Sequence, residues 1–356
     1  MDLNNDKDFD QIDRDRIIDH IDRLPNQLSD AWQLACGFDL PDWKHIRAVI
    51  VAGMGGSAIA ADMFSSYVKP FCKIPVIIHR DYDLPAWAAG PSILAIISSH
   101  SGNTEETLSA FEQANKNHCR VLAITTGGML AEKALQENSP LWLYNYNSPP
   151  RAAIGYSFGL ILSLFARLNL IPNPIHEFND TISTLFETQK QLKACTPILK
   201  NPAKRMAGQL IDRIVIIFGY DFLTPVARRW KTQINELSKA WAHFEALPEA
   251  DHNTIAGTDY PTKMIPYLTA LFLRIPSDQS RNRVRLELTK KSLMLQGLGT
   301  DFIDARGNTR LAQLWSTLQF GDYMAYYLAL AYGVDPSPIL NIEDFKCEMS
   351  QDQRSG

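Results

Sequence analysis

The stretch from Val49 to Phe64 reads VIVAGMGGSAIAADMF, in which β-capable residues run into a glycine cluster, then a serine, then an alanine-rich amphipathic run. That order describes a strand turning sharply into a helix. Further on, SILAIISS and RVLAITT are continuous apolar runs, without the in-and-out alternation of a half-solvated strand. Strands of this kind belong to parallel sheets covered by helices on both faces. The chain is thereby constrained to an α/β architecture of the doubly wound type.

The rest of the pattern keeps this alternation. Strands are expected at 48–52, 76–79, 93–98, 121–125 and 141–144, with helices at 57–68, 104–117 and after Gly128. An apolar run from Ala152 to Ala166 stops at Arg167, short of the ~20 residues of a bilayer span, so a buried helix is expected there. A polar, helix-compatible segment from Ile175 to about Gln209 leads into a second copy of the pattern. There RIVIIFGYDF is a strand, and TPVARRWKTQINELSKAW a helix with Thr224 as N-cap and Pro225 in its first turn. A strand within MIPYLTALFLRI, a helix in RNRVRLELTKKSLMLQG, the strand DFIDAR and a helix at 309–332 follow. Ahead of all this, residues 12–37 carry apolar positions at helical spacing with a break at Pro25, and are expected to lie outside the first lobe. The predicted organisation is a helical segment at 1–40, a first lobe at 41–172 and a second at 173–356.

Composition narrows the function. The 356 residues are 46% hydrophobic, enough for two lobes, since a single core seldom grows past ~250–300 residues. A net charge of −4 argues against a nucleic-acid or membrane-surface partner, which needs a basic field, but allows a small anion in a locally positive cleft. The five cysteines are odd in number, far apart and without a CxxC pair, as expected of reduced cytoplasmic thiols. The acidic opening MDLNNDKDFDQIDRDRIIDHI lacks the apolar core of a signal peptide.

What the glycine turn holds is open on its own residues. Gly53, Gly55 and Gly56 allow close approach of the backbone to a ligand, and the N–H groups opening the helix at Ser57 suit an oxyanion. The same letters satisfy G-x-G-x-x-A through Gly53, Gly55 and Ala58, a dinucleotide fingerprint, and a purely structural turn is a third option. SSHSGNTEET favours the first. It crowds Ser99, Ser101 and Thr104 into another strand-to-helix turn, and a helix cap accounts for Thr104 but not for the serines on either side of His100. A terminal phosphate has three oxygens needing donors from several directions, and hydroxyls with amides supply them without lysine or metal.

GMGGSAIAADM followed downstream by SHSGNTEET resembles the sugar isomerase (SIS) domain. Over roughly residues 40–350 the chain is similar to the bifunctional phosphoglucose/phosphomannose isomerase family, built from two flavodoxin-like SIS lobes in tandem. PPRAAIGYSFG at 149–159, NELSKAW with LPEADHN between 235 and 253, and the closing NIEDFK that ends at Lys346 occur in the order the family shows. His100 stands where the family usually has tyrosine, and Ala250-Asp251 replaces a common Leu-Asn.

The resemblance implies interconversion of glucose 6-phosphate and fructose 6-phosphate, with mannose 6-phosphate a further candidate, through a cis-enediolate. Such a reaction needs one base that reaches C1 and C2 and a cation facing the developing oxyanion. By resemblance Glu236 is the base, Arg151 the enediolate stabiliser, and His252 the ring-opening residue, given across the interface of a homodimer. Lys346 then assists at the sugar hydroxyls from a C-terminal segment folded back over the site, while Gly55, Gly56, Ser57, Ser99, Ser101 and Thr104 hold the phosphate. Without the resemblance, Glu236 is a solvated helix carboxylate, Arg151 a surface ion-pair partner, His252 incidental and Lys346 a solvated lysine. No metal-ligand spacing occurs, and no metal or other cofactor is expected. The second lobe's IIFGYDFLTP keeps one glycine and loses the serine, so one phosphate site per chain is expected. Two other functions stay open: a non-catalytic phosphosugar-binding regulator, with no need for Glu236, His252 and Lys346 together, and a nucleotide-dependent oxidoreductase using the glycine fingerprint.

Overall fold

The structure, a computed structural model, describes residues 2–352 and consists of two parallel sheets built in succession. Helices α1 (Ile17–Asp22) and α2 (Leu24–Gly37) precede β1 (Ala48–Ala52), α3 (Gly55–Val68), β2 (Val76–His79), β3 (Ile93–Ser99), α4 (Glu105–Lys116), β4 (Arg120–Thr125), α5 (Gly128–Gln136) and β5 (Leu141–Leu143). Helices α6 (Ile154–Arg167), α7 (Ile175–Leu192) and α8 (Pro202–Leu210) lead to β6 (Ile214–Tyr220), α9 (Thr224–Ser238), β7 (Ala242–Leu247), β8 (Leu268–Arg274), α10 (Arg281–Leu295), β9 (Gly299–Asp304), α11 (Arg310–Tyr332) and α12 (Leu340–Asp352). Among the described residues no helix is long and apolar enough to cross a membrane.

The strand orders are β2-β1-β3-β4-β5 and β7-β6-β8-β9, every pairing parallel. Counted from each lobe's own first strand, both begin 2-1-3-4, the flavodoxin-like order. Strands β1 and β3 are buried at every residue, as their unbroken apolar runs require. They are hydrogen-bonded neighbours, Ala52 lying opposite Ile97, so the turns that follow them leave the same carboxyl edge about 4.8 Å apart. Open α/β sheets bind ligands at such an edge.

Several sequence expectations are corrected. Strand β7 was not foreseen: it is an edge strand carrying His243 and Glu245, half-exposed along most of its length, so no apolar run announces it. The N-terminal helix starts at Ile17 rather than Ile12, because the Asp13 carboxylate accepts the amides of Ile17 and Ile18 at 2.8 and 3.1 Å. It breaks at Arg23, and Pro25 sits in the first turn of α2, where its missing N–H costs nothing. Nor does α2 lie outside the first lobe: Leu24, Leu28, Ala31 and Ala35 are in the main core, and Gln27 bonds the carbonyl of Ala152 and the amide of Gly155 at the start of α6. Thr224 is the first residue of α9 rather than its cap, since a 3-10 turn at Asp221–Leu223 runs directly into the helix.

Helices α6, α9 and α11 weld the lobes together. Phe158 of α6 meets Trp315 of α11 edge-on at 5.0 Å, and Trp230 of α9 stacks on Phe320 at 5.6 Å. Within this apolar interior Arg229 makes two bonds to Asp322, at 3.1 and 2.9 Å, with side chains only 2% and 5% exposed. Leaving one member of a buried pair without its partner costs about 3–5 kcal/mol. Asp322→Ala is accordingly expected to lower unfolding free energy by that amount in urea titration; an unchanged midpoint would contradict the tie.

Candidate active site

The glycine turn is built by the opening of α3 under β1. Gly55 adopts φ +50°, a left-handed conformation that glycine takes without strain. A Cβ on Gly56 would lie 2.7 Å from the Pro150 carbonyl, so only glycine lets the loop bearing Arg151 approach. Ser57 is buried one residue on, in the first turn of the helix, where amides point outward unpaired. On the neighbouring turn the Ser99 hydroxyl donates to that of Thr104 at 3.2 Å and accepts the Gly102 amide at 3.1 Å. Thr104 occupies the N-cap position of α4, but its side chain makes no cap bond. Ser101 is exposed, its hydroxyl accepting the Asn103 amide at 3.3 Å. The structure thus brings Gly55, Gly56, Ser57, Ser99, Ser101 and Thr104 onto one sheet edge.

Arg151 is the hub. It lies on a 3-10 turn at Pro150–Ala152, buried, and one terminal nitrogen donates to the carbonyls of Pro336, at 3.1 Å, and Ser337. Its Nε is buried without a hydrogen-bond partner among the described residues. Burial depresses the guanidinium, the Glu236 carboxylate draws it back up, Arg229 pushes it down and Glu343 up. All three charges therefore lie close enough to act on it. Arg229 also donates to the main-chain carbonyl of Arg151 at 2.8 Å, which joins this turn to the buried pair in the core.

Glu236 sits seven residues after Arg229, on the same face of α9. It is half-buried at a cleft of about 530 Å³ lined also by Lys239, Asp335, Ile339 and Ile342. The Lys239 ammonium, depressed by burial and then by Arg151, donates to the Glu236 carbonyl at 2.5 Å. Another cleft of about 540 Å³, between α3 and α9 around Asp62 and Arg228, touches neither hydroxyl-bearing turn nor Glu236.

His252 and Lys346 are not brought to this cleft by their own chain. His252 is exposed on a 3-10 turn at Glu249–His252, just past the carboxyl end of β7. Glu236 lies twelve residues along α9 from the same carboxyl edge, about 18 Å at 1.5 Å per residue. Lys346 lies on α12, whose residues 340–349 are all exposed within one chain. Its first turn does start at the Glu236 cleft, and Glu343 is felt by Arg151.

The second lobe treats its equivalent edge differently. In the loop between β8 and α10, counterpart of the Ser99–Thr104 loop, the Asp278 carboxylate takes the Ser280 amide and hydroxyl at 2.8 and 2.7 Å. Burial raises this carboxyl, but Ser280, the Tyr220 hydroxyl and Arg283 together hold it below its usual range. An internal carboxylate occupies the donors there.

Comparison with known proteins matches residues 43–170 to the SIS domain and residues 199–349 to the bacterial phospho-glucose isomerase C-terminal SIS domain. The chain is 37% identical over 330 residues to the bifunctional phosphoglucose/phosphomannose isomerase of Caldicellulosiruptor bescii, covering 92% of this chain and 97% of that one. The chain belongs to the bifunctional phosphoglucose/phosphomannose isomerase family. The enzyme of the same name from Aquifex aeolicus is 32% identical over 312 residues, 87% of this chain and 92% of its own. Among solved structures, a glucose-6-phosphate isomerase like protein from Thermus thermophilus shares the fold with a TM-score of 0.64 at 19% identity, covering 95% of this chain and 98% of that one.

Relative to the family motifs, sequence reasoning missed a histidine cluster behind Arg151. His20 of α1 meets the Tyr146 hydroxyl at 2.7 Å, and that hydroxyl also accepts from Gln27 at 3.2 Å. His100 is buried, with Nε2 at 2.9 Å from the Ser148 carbonyl and Nδ1 at 3.0 Å from the Tyr144 hydroxyl. A neutral ring meets both needs, donating to the carbonyl and accepting from the phenol. Helical periodicity places His20 on a helix but cannot announce a partner 126 residues away.

Burial depresses His20, with Arg23 and Arg151 adding to the effect against Asp19; burial also depresses His100, with His20 adding to it against the Ser148 bond. Unfolding frees both rings to bind protons at their ordinary pKa of 6.5, so the unfolded state gains as pH falls below that value. Stability is expected to decline from pH 6.5 downward in thermal melts, and His100→Gln, which keeps a donor and an acceptor without titrating, should flatten the slope. An identical slope in the variant would exclude His100 as a source.

Proposed function

We propose that this chain is an aldose–ketose isomerase that interconverts glucose 6-phosphate and fructose 6-phosphate, and mannose 6-phosphate with them, as the names of its relatives indicate. One observation carries the reading: Arg151 lies against the anion-binding turn at Gly56 on one side and within the field of Glu236 on the other. In this reading the first lobe, residues 41–172, grips the phosphate through Gly55, Gly56, Ser57, Ser99, Ser101 and Thr104. The second, residues 173–356, presents the base.

Glu236 removes the proton from C2 of the open-chain aldose as its carboxylate and returns it to C1, while the hydroxyl proton of O2 passes to O1, leaving the ketose. Between the two steps the electron pair rests on the enediolate oxygen, where the permanently charged Arg151 stabilises it. Ring opening moves a proton from the anomeric hydroxyl to the ring oxygen; His252 is suited to exchange the proton at the ring oxygen, and the Lys346 ammonium, a donor only, to hydrogen-bond the sugar hydroxyls. A single chain holds His252 and Glu236 at opposite ends of its second lobe. A homodimer in which each copy lends His252 to the other resolves this separation, in the self-complementary manner of a two-fold interface.

Glu236→Gln is expected to lower kcat by about two to four orders of magnitude with little change in KM in a coupled fructose 6-phosphate assay. Retention of kcat would assign the base elsewhere. Mixing inactive Glu236→Gln and inactive His252→Asn chains should restore about a quarter of wild-type activity, since half the dimers are mixed and each has one intact site. A mixture as inactive as its components would refute the shared site.

A further inference from the structure

The loop that carries Arg151 is held by side chains from three other segments. Arg229 donates to the Arg151 carbonyl at 2.8 Å and Gln27 to the Ala152 carbonyl at 2.9 Å, both at or beyond the guanidinium's own residue. On the near side the hold is single. Among the described residues, the main chain of 145–148 makes one hydrogen bond to another segment, from His100 Nε2 to the Ser148 carbonyl at 2.9 Å. Pro149 and Pro150 fill the gap between Ser148 and Arg151, and their rings fix φ, so the position of Ser148 is passed on to Arg151 with little slack.

The His100 ring is fixed at both nitrogens. It stands between Ser99 and Ser101 on the hydroxyl-rich loop and is buried. A carbonyl only accepts, so Nε2 carries the proton, and Nδ1 accepts from the Tyr144 hydroxyl at 3.0 Å. Tyr144 is itself buried and stacked on Tyr156 of α6, with ring centres 5.2 Å apart. Ring orientation and tautomer are both set. The histidine's own carbonyl takes the Thr126 hydroxyl at 2.6 Å and the Thr126 amide at 3.2 Å, so the path of the hydroxyl-rich loop is held without the imidazole. What the imidazole adds is the link between that loop and the one bearing Arg151.

We infer that His100 is a positioning residue: through the Ser148 carbonyl it sets where the Arg151 guanidinium stands relative to the hydroxyl-rich loop, and so to a substrate held there by its phosphate. The inference rests on the reading above, in which that loop takes the phosphate and Arg151 faces the enediolate oxygen. It adds that one imidazole gauges the distance between the end of the sugar that is gripped and the end that reacts. A charge stabilises a transition state only where it is already in place, and a displacement of about 1 Å costs on the order of a hundredfold in rate. The effect falls on kcat, because the bonds of the Ser99 and Ser101 hydroxyls and the path of their loop do not involve the ring.

The test is a double-mutant cycle on the full chain in the coupled fructose 6-phosphate assay. His100→Gln puts an amide nitrogen where Nε2 stands, whereas the amide of His100→Asn reaches only as far as Nδ1. His100→Asn is expected to lower kcat about ten- to a hundredfold with KM held within about threefold, and His100→Gln to recover most of that loss. A change confined to KM, or the same kcat in both variants, would overturn the role. In an Arg151→Gln background His100→Asn should have no further effect, since the group it acts through is already gone, and losses that multiply would refute the link. Tyr144→Phe keeps the stack on Tyr156 but frees the imidazole to turn, and runs the same cycle with the buried histidine in place. It should lower kcat in the otherwise unaltered chain and leave it unchanged beside Arg151→Gln; equal losses in both backgrounds count against the proposal. Arg151→Gln alone separates the two readings. An undiminished kcat would refute Arg151 as the stabiliser, whereas a diminished kcat with multiplying losses would leave the stabiliser standing and the positioning role of His100 refuted.

Discussion

The bonds of Arg229 to Asp322 and to the Arg151 carbonyl hold three working parts in one frame. Through them α9, which bears Glu236, is fixed to α11 of its own lobe and to the loop that follows the first sheet. Two charges in an apolar interior are costly unless each is fully met, and here the guanidinium is met by both carboxylate oxygens and a peptide oxygen. The distance between the hydroxyl-lined edge of one lobe and the Glu236 carboxylate of the other is thereby set in the core.

Much of this was legible in the letters. Unbroken apolar runs at β1 and β3 revealed a doubly covered parallel sheet, because burial on both faces removes alternation. The glycine turn and the hydroxyl-rich loop each read as a strand-to-helix turn, and the structure has them on hydrogen-bonded neighbours. Elements whose stability is decided at long range were not legible. Among the described residues strand β7 pairs with β6 alone, and its His243 and Glu245 alternate with Ala242, Phe244 and Ala246 over too short a stretch to stand out without that neighbour in view. Arg229, Gln233 and Glu236 fall at helical spacing on α9, yet only the structure turns Arg229 and Glu236 toward Arg151. The role of Gln27, which ties α2 to the start of α6, needed both partners in view.

The two lobes share an order of elements but have diverged at their carboxyl edges. In the first, glycines and hydroxyls line the edge without a carboxylate among them. In the second, Tyr220 and Asp278 fill the corresponding place from within, and the serine that could have bound a ligand is spent on its own carboxylate. A repeated scaffold has kept its architecture while the two copies came to line their carboxyl edges with different side chains.

The anchors of Arg151 are the peptide oxygens of Pro336 and Ser337. Peptide oxygens are indifferent to which side chains hang beside them, so what Arg151 takes from this stretch is the path of the backbone and not the letters at these two positions. What cannot drift is spacing: one residue gained or lost between α11 and α12 would swing both oxygens away and leave a permanent cation stranded in a dry interior. The constraint inherited at this point is a length, invisible to any comparison that scores identity column by column.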